Sequence, residues 1–132
     1  MNRFRPALLA ISLAITAVAP GLAADEAAKA FLRTIYRNYT GTASKGLRLE
    51  KDAHVRRHFT PATADLMIKD GKEAAKRGEV GRLDFDPFVN GQDWEVKAVD
   101  VRLENAGPDR ATGVASFVNA GTSTTVRYDL VK

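Results

Sequence analysis

Three carboxylates, Asp84, Asp86 and Asp93, fall within ten residues of one another, beside Phe85, Phe88 and Trp94. They sit in Asp84-Phe85-Asp86-Pro87-Phe88, followed by Gly91-Gln92-Asp93-Trp94. Oxygens this close could hold a hard cation. Two carboxylates could also divide acid and base roles, if burial raised the pKa of one. The calcium-loop pattern fails, however, because Pro87 and Phe88 follow Asp84-x-Asp86 and no later ligand series exists. Asp and Asn also accept backbone N–H groups in turns, and aromatic side chains pin such a loop to a core. The stretch is therefore expected to be a structural turn first. Second, it is a candidate ligand or partner site made of Asp84, Asp86, Gln92, Asp93 and Trp94.

His54 and His58 share a helix face at metal-ligand spacing. A zinc-protease helix needs Glu after the first His, and Val55 stands there. No third His exists, and Arg56 and Arg57 repel a cation, so the pair is expected on a solvated face. Lys69, Lys72, Lys76 and Arg77 form a basic stripe with interleaved acids and no aromatic residue. It is expected to be a solvated helix face, without base stacking and so without a nucleic-acid partner. Ser116 and Ser123 lack a GxSxG elbow, and no GxGxxG or Walker-type loop occurs. Cysteine is absent, which excludes disulfides, thiolate metal sites and a thiol nucleophile. No catalytic residue, metal or cofactor is expected from these patterns.

The compartment is expected from residues 1–24. Arg3 and Arg5 make a positive start, Ala7 to Ala19 is apolar, and Pro20-Gly21 precedes the small residues Leu22-Ala23-Ala24. That order is a secretory signal peptide, expected to be cleaved before Asp25, and its apolar run is too short to span a bilayer. A periplasmic or secreted protein follows, with no transmembrane segment after cleavage. The net charge is +4 from 20 Lys/Arg and 16 Asp/Glu. Losing Arg3 and Arg5 lowers it to +2, too little to define an anionic partner.

Residues 25–132 predict one domain. A first helix is expected from Asp25, as its cap, to about Tyr39, with Ala27, Phe31 and Ile35 on an apolar stripe widened by Ala28, Leu32 and Tyr39. A short helix is expected over Leu49 to Phe59, with Leu49, Ala53 and Val55 inward. Thr60-Pro61 starts a third helix that stops at Gly78. Its expected inner face is Ala64, Met67, Ile68, Gly71 and Ala75, with ion pairs Asp65–Lys69 and Glu73–Arg77 outside. After Gly81 the period changes to two. Asn90-Gly91 marks a turn, a phase slip predicts a bulge near Ala98, and Arg110 to Asn119 and Thr124 to Leu130 alternate as strands. Helices followed by a strand meander predict an α+β fold, with the helices on one face of an antiparallel sheet.

Tyr36 and Tyr39, Phe59-Thr60-Pro61, the Asp84–Phe88 and Gly91–Asp93 stretches and Phe117-Val118-Asn119 together resemble the bacterial family "domain of unknown function 3828". The resemblance covers about residues 27–131. It implies an exported or lipoprotein-type protein with a fold like nuclear transport factor 2: a curved antiparallel sheet wrapped around helices into a cone (cystatin-like in outline). The family brings no established catalytic residue. This chain lacks the lipobox cysteine and stops at Lys132, where members continue into a last strand with a tryptophan: either the chain is a fragment missing that strand, or this version ends short, and an unpaired sheet edge is then exposed. The function expected is a non-enzymatic binding or envelope-accessory protein, whose partner is a protein or small ligand of the cell envelope. The alternatives are an inhibitor or immunity-type protein, or a pocket enzyme using Asp84, Asp86 or Asp93. A deep pocket with a buried carboxylate favours the enzyme; an exposed loop favours a protein partner.

Overall fold

Apolar residues recurring every three to four positions build three helices, and alternating ones build three strands. In the computed structural model, which describes residues 20–131, the order is α1 (Pro20–Tyr36), α2 (Asp52–His58), α3 (Pro61–Arg77), β1 (Val96–Glu104), β2 (Arg110–Asn119) and β3 (Thr122–Val131). The strands form an antiparallel sheet in the order β1-β2-β3, which makes the fold α+β. The charged start and apolar run expected as a signal peptide lie outside the described residues, apart from its last positions. No described helix is long and apolar enough to cross a membrane.

α1 starts earlier than expected. The described helix already includes Pro20, and Asp25 lies inside it, so Asp25 is not the cap. The buried stripe is Leu32, Ile35 and Tyr36, continuing to Tyr39 in the following turn. Ala27 and Phe31, expected inward, are exposed. This face of α1 packs over β1 and β2. The approach is close at Gly113, where a Cβ would stand 2.5 Å from Leu32 Cδ1 and 3.1 Å from Leu130 Cδ1. Glycine in a strand commonly marks such a close approach.

The bulge appears where the phase slips: the β1–β2 register shifts between Lys97 and Asp100, and Ala98 has φ +55°. β2 is the central strand, and both its faces are covered. Ala115 and Phe117 face the helices, while Val114, fully buried, lies on the other face. Arg102 and Arg127 stand opposite Val114 on the flanking strands, and both bond Glu104. Arginine stems placed this way cover apolar surface while their heads stay in water.

α2 and α3 enclose a second, smaller core of Val55, Ala64 and Ile68, with Met67 beside it. Ala53 is exposed, and Ala74 rather than Gly71 or Ala75 is buried on α3. α3 opens on Pro61 and closes on Gly78 at φ +65°. Thr60 precedes it but donates to the Thr63 hydroxyl at 3.1 Å, so its side chain does not cap the helix backbone. The expected pairs Asp65–Lys69 and Glu73–Arg77 do not form. Arg56 takes Asp65 at 2.8 Å, Lys69 meets Glu73 at 3.9 Å, and Arg77 meets Glu79 at 2.7 Å. Leu49 and Phe59 pack against both cores and join them.

Candidate functional site

Asp86 is held by a turn that its own side chain builds. Pro87 fixes φ at the next position, and the Phe88 N–H donates to Asp86 Oδ1 at 2.9 Å, an Asx turn. The Asp86 N–H donates to the Gly91 carbonyl at 2.9 Å, and Gly91 N–H returns to the Asp86 carbonyl at 3.4 Å. Asn90 adopts φ +51° between them, a left-handed conformation that asparagine tolerates. The second carboxylate oxygen, Oδ2, accepts the Tyr39 hydroxyl at 2.6 Å. That hydroxyl oxygen accepts the Leu47 N–H at 3.3 Å.

A second hydroxyl chain runs beside the first. Tyr36 donates to the Phe88 carbonyl at 2.8 Å. Its single proton is thereby used, so the Tyr128 hydroxyl donates to the Tyr36 oxygen. Around these groups the rings of Tyr36, Tyr39, Phe59, Phe88, Trp94, Phe117 and Tyr128 form a continuous aromatic cluster. Asn119 completes the tie. Its side-chain oxygen accepts the Glu95 N–H at 2.8 Å, and its nitrogen donates to the Val89 carbonyl at 3.3 Å.

Burial sets the electrostatics. It pushes the Asp86 carboxyl above the usual range, while the Tyr39 hydroxyl and Phe88 N–H pull it back. It pushes Tyr36 up to about 12, despite the bond from Tyr128. Tyr39 and Tyr128 are raised further, by burial first and then by the neighbouring hydroxyls and Asp86. These tyrosines are therefore neutral donors, not bases, at any physiological pH.

The other expected site residues are dispersed. Asp84 is exposed, and its carbonyl accepts Gln92 Nε2 at 3.2 Å. Gln92 and Asp93 are exposed. Phe85, expected to pin the loop, is 40% exposed, and Phe88 with Trp94 does that work instead. Trp94 is half-buried, donates to Ser44 Oγ at 2.9 Å and stands edge-on to Tyr39 at 5.3 Å between centroids. Asp84, Asp86 and Gln92 border an open groove of about 630 Å³ against α2 and α3. His54 and His58, expected in solvent, are half-buried. Each donates Nδ1–H to a backbone carbonyl, of Leu47 and of His54. No group of three or more His, Asp or Glu that could hold a metal is present among the described residues.

Gly46 is the tightest point of the Trp94 corner. It has φ +66°, and a Cβ there would meet Trp94 Cη2 at 3.0 Å and Tyr39 Cε1 at 3.1 Å. Left-handed backbone costs an L-residue roughly 1–2 kcal/mol, and crowding adds to it. Gly46→Ala is expected to lower stability by about 2–3 kcal/mol, read as a lower urea midpoint with an unchanged slope. A midpoint equal to that of the wild type would show the corner to be loose.

A larger cleft, of about 1030 Å³, opens between α1, the α2–α3 junction and the inner face of β3. Its walls include Phe31, Leu32, Phe59, Phe88, Tyr128 and Leu130, with Arg57 and Arg110 also lining it. Neither arginine has a carboxylate partner among the described residues. The sequence did not point to this cleft, because its residues come from five elements and the loops between them and share no local spacing. The one available signal was Tyr128, a polar-tipped ring on the inward face of an alternating strand. Compared with known proteins, the chain matches no family model, no curated protein and no solved structure.

Proposed function

We propose that the chain is an exported, non-catalytic binding domain of the bacterial envelope, and that its ligand occupies the larger cleft. The carrying observation is that cleft, whose apolar and aromatic walls meet two arginines without carboxylate partners among the described residues. Its volume is of the order of small-molecule sites, which run to about 1,000 Å³ and combine apolar walls with a few polar anchors. The chemistry fits an amphipathic molecule: an apolar body against Phe31 and Tyr128, and an anionic group toward Arg57 or Arg110. Binding is favoured over acid–base catalysis because both oxygens of Asp86 already accept hydrogen bonds from the fold. The nuclear transport factor 2-like cone and the likeness to domain of unknown function 3828 belong to the same proposal. Its support is that Tyr36, Tyr39, Phe59, Asp86, Phe88, Phe117 and Asn119, far apart in sequence, meet in one network.

Fluorescence titration with 1-anilinonaphthalene-8-sulfonate, an anionic aromatic amphiphile, tests the reading. Phe31 is exposed at the cleft, so Phe31→Glu should leave the thermal midpoint nearly unchanged and weaken the probe about tenfold or more. Arg57→Glu should weaken it as well. Binding that ignores both substitutions would refute the cleft as the site.

A further inference from the structure

β3 is an edge. β2 pairs with it along its whole length, from Arg110 opposite Val131 to Asn119 opposite Thr122, and no described strand lies on its other side. Half of its backbone N–H and C=O groups therefore point outward without a strand partner. It has no proline, no bulge and no inward-pointing charge, three of the devices that blunt an edge. The inner face presents Thr124, Val126, Tyr128 and Leu130, all half-buried, and the outer face presents Arg127 and Asp129, both exposed.

We infer that β3 pairs antiparallel with β3 of a second copy of this chain, about a two-fold axis at Tyr128. This register sets Arg127 opposite Asp129 of the other copy, twice by symmetry. Val126 then faces Leu130, also twice, and Tyr128 faces Tyr128. Cross-strand neighbours of opposite charge and of apolar type both stabilise a sheet. The neighbouring registers are excluded by the same two charges. Centring the axis on residue 127 sets arginine against arginine, and centring it on 129 sets aspartate against aspartate. A slip by one residue turns the second sheet over, so that apolar faces meet charged ones. The space is available, because α1 packs over β1 and β2 and leaves the large cleft above β3. The assembly is one continuous six-stranded sheet with the two clefts side by side across the axis. The inference stands whether or not those clefts bind a ligand.

Sedimentation velocity of the full chain over a concentration series tests it, with circular dichroism to confirm folding. Wild type should approach twice the chain mass. Arg127→Asp and Asp129→Arg should each sediment as monomers, because each places like charges in opposition. Mixed together, the two variants should restore the doubled mass, since every aspartate of one then faces an arginine of the other. Arg127 also pairs with Glu104 of its own sheet, so Glu104→Gln serves as a control and should stay dimeric. A monomeric wild type, dimeric single variants, or a mixture that stays monomeric would each overturn the inference. A mixture that stays monomeric beside a dimeric wild type would place the interface elsewhere.

Discussion

Phe88→Ala is expected to be the most damaging single truncation in the chain, lowering stability by about 4 kcal/mol. The ring is 3% exposed and stands at the centre of the aromatic cluster. It stacks on Tyr128 at 5.6 Å, tilts against Phe59 at 5.6 Å and approaches Tyr39 at 6.3 Å. Removing it costs the transfer energy of the ring and leaves a cavity between elements that cannot all collapse inward, because the Phe88 backbone is fixed by Asp86 and Tyr36 at the same time. For a domain of this size the midpoint of thermal unfolding should fall by roughly 15–30 °C. A fall of only a few degrees would mean that the cluster repacks and that the ring is not central to the fold.

Asp86→Ala is expected to cost about 3 kcal/mol, for a different reason. No large volume is lost, but the Tyr39 hydroxyl and the Phe88 N–H lose their acceptor inside the protein, and each unpaired buried group costs about 1–3 kcal/mol. The pH dependence carries a definite sign. Burial raises the Asp86 pKa in the folded state above its unfolded value of about 3.9, so the native protein binds the proton more tightly. The contribution of this group is complete below the unfolded pKa and is lost as pH rises through the folded pKa. The difference between wild type and Asp86→Ala should therefore shrink as pH rises across that window. Urea titrations of both proteins at several pH values read this difference directly, with Lys72→Ala as a control. Lys72 is paired with Asp52 at 3.3 Å on the surface, so its removal should change stability by less than about 0.5 kcal/mol. A difference that grows with pH, or an Asp86 variant as stable as wild type, would contradict the assigned role of the carboxylate.

Local chemistry made part of this fold legible in the sequence. β2 runs from Arg110 to Asn119 as its alternation predicts, β3 alternates as expected, and the bulge falls at the phase slip near Ala98. Pro61 and Gly78 bracket α3, because each residue type suits one end of a helix. The less legible features depend on partners distant in sequence. On α1 the stripes through Ala27 and Phe31 and through Ala28 and Leu32 are equally apolar, and only the sheet decides which is buried. Asp65 had a lysine four residues away, yet it pairs with Arg56 on another helix. The candidate carboxylates looked alike in sequence. Asp86 differs from Asp84 and Asp93 because Tyr39, 47 residues earlier, reaches it. The larger cleft was invisible for the same reason, being made by the meeting of helix, loop and strand.

The chain contains a single tryptophan, and its position turns the two-core arrangement into a matter of optics. Trp94 lies against Tyr39 and belongs to the larger core, while the smaller core between α2 and α3 has no indole and meets the larger one through Leu49 and Phe59. Indole emission thus witnesses the sheet side of the molecule and is silent about the α2–α3 hairpin, whereas helical ellipticity draws heavily on that hairpin. Two such signals coincide only while the bridge of Leu49 and Phe59 holds both cores to one cooperative transition. The protein therefore carries, without any label, a gauge of how firmly its two halves are joined.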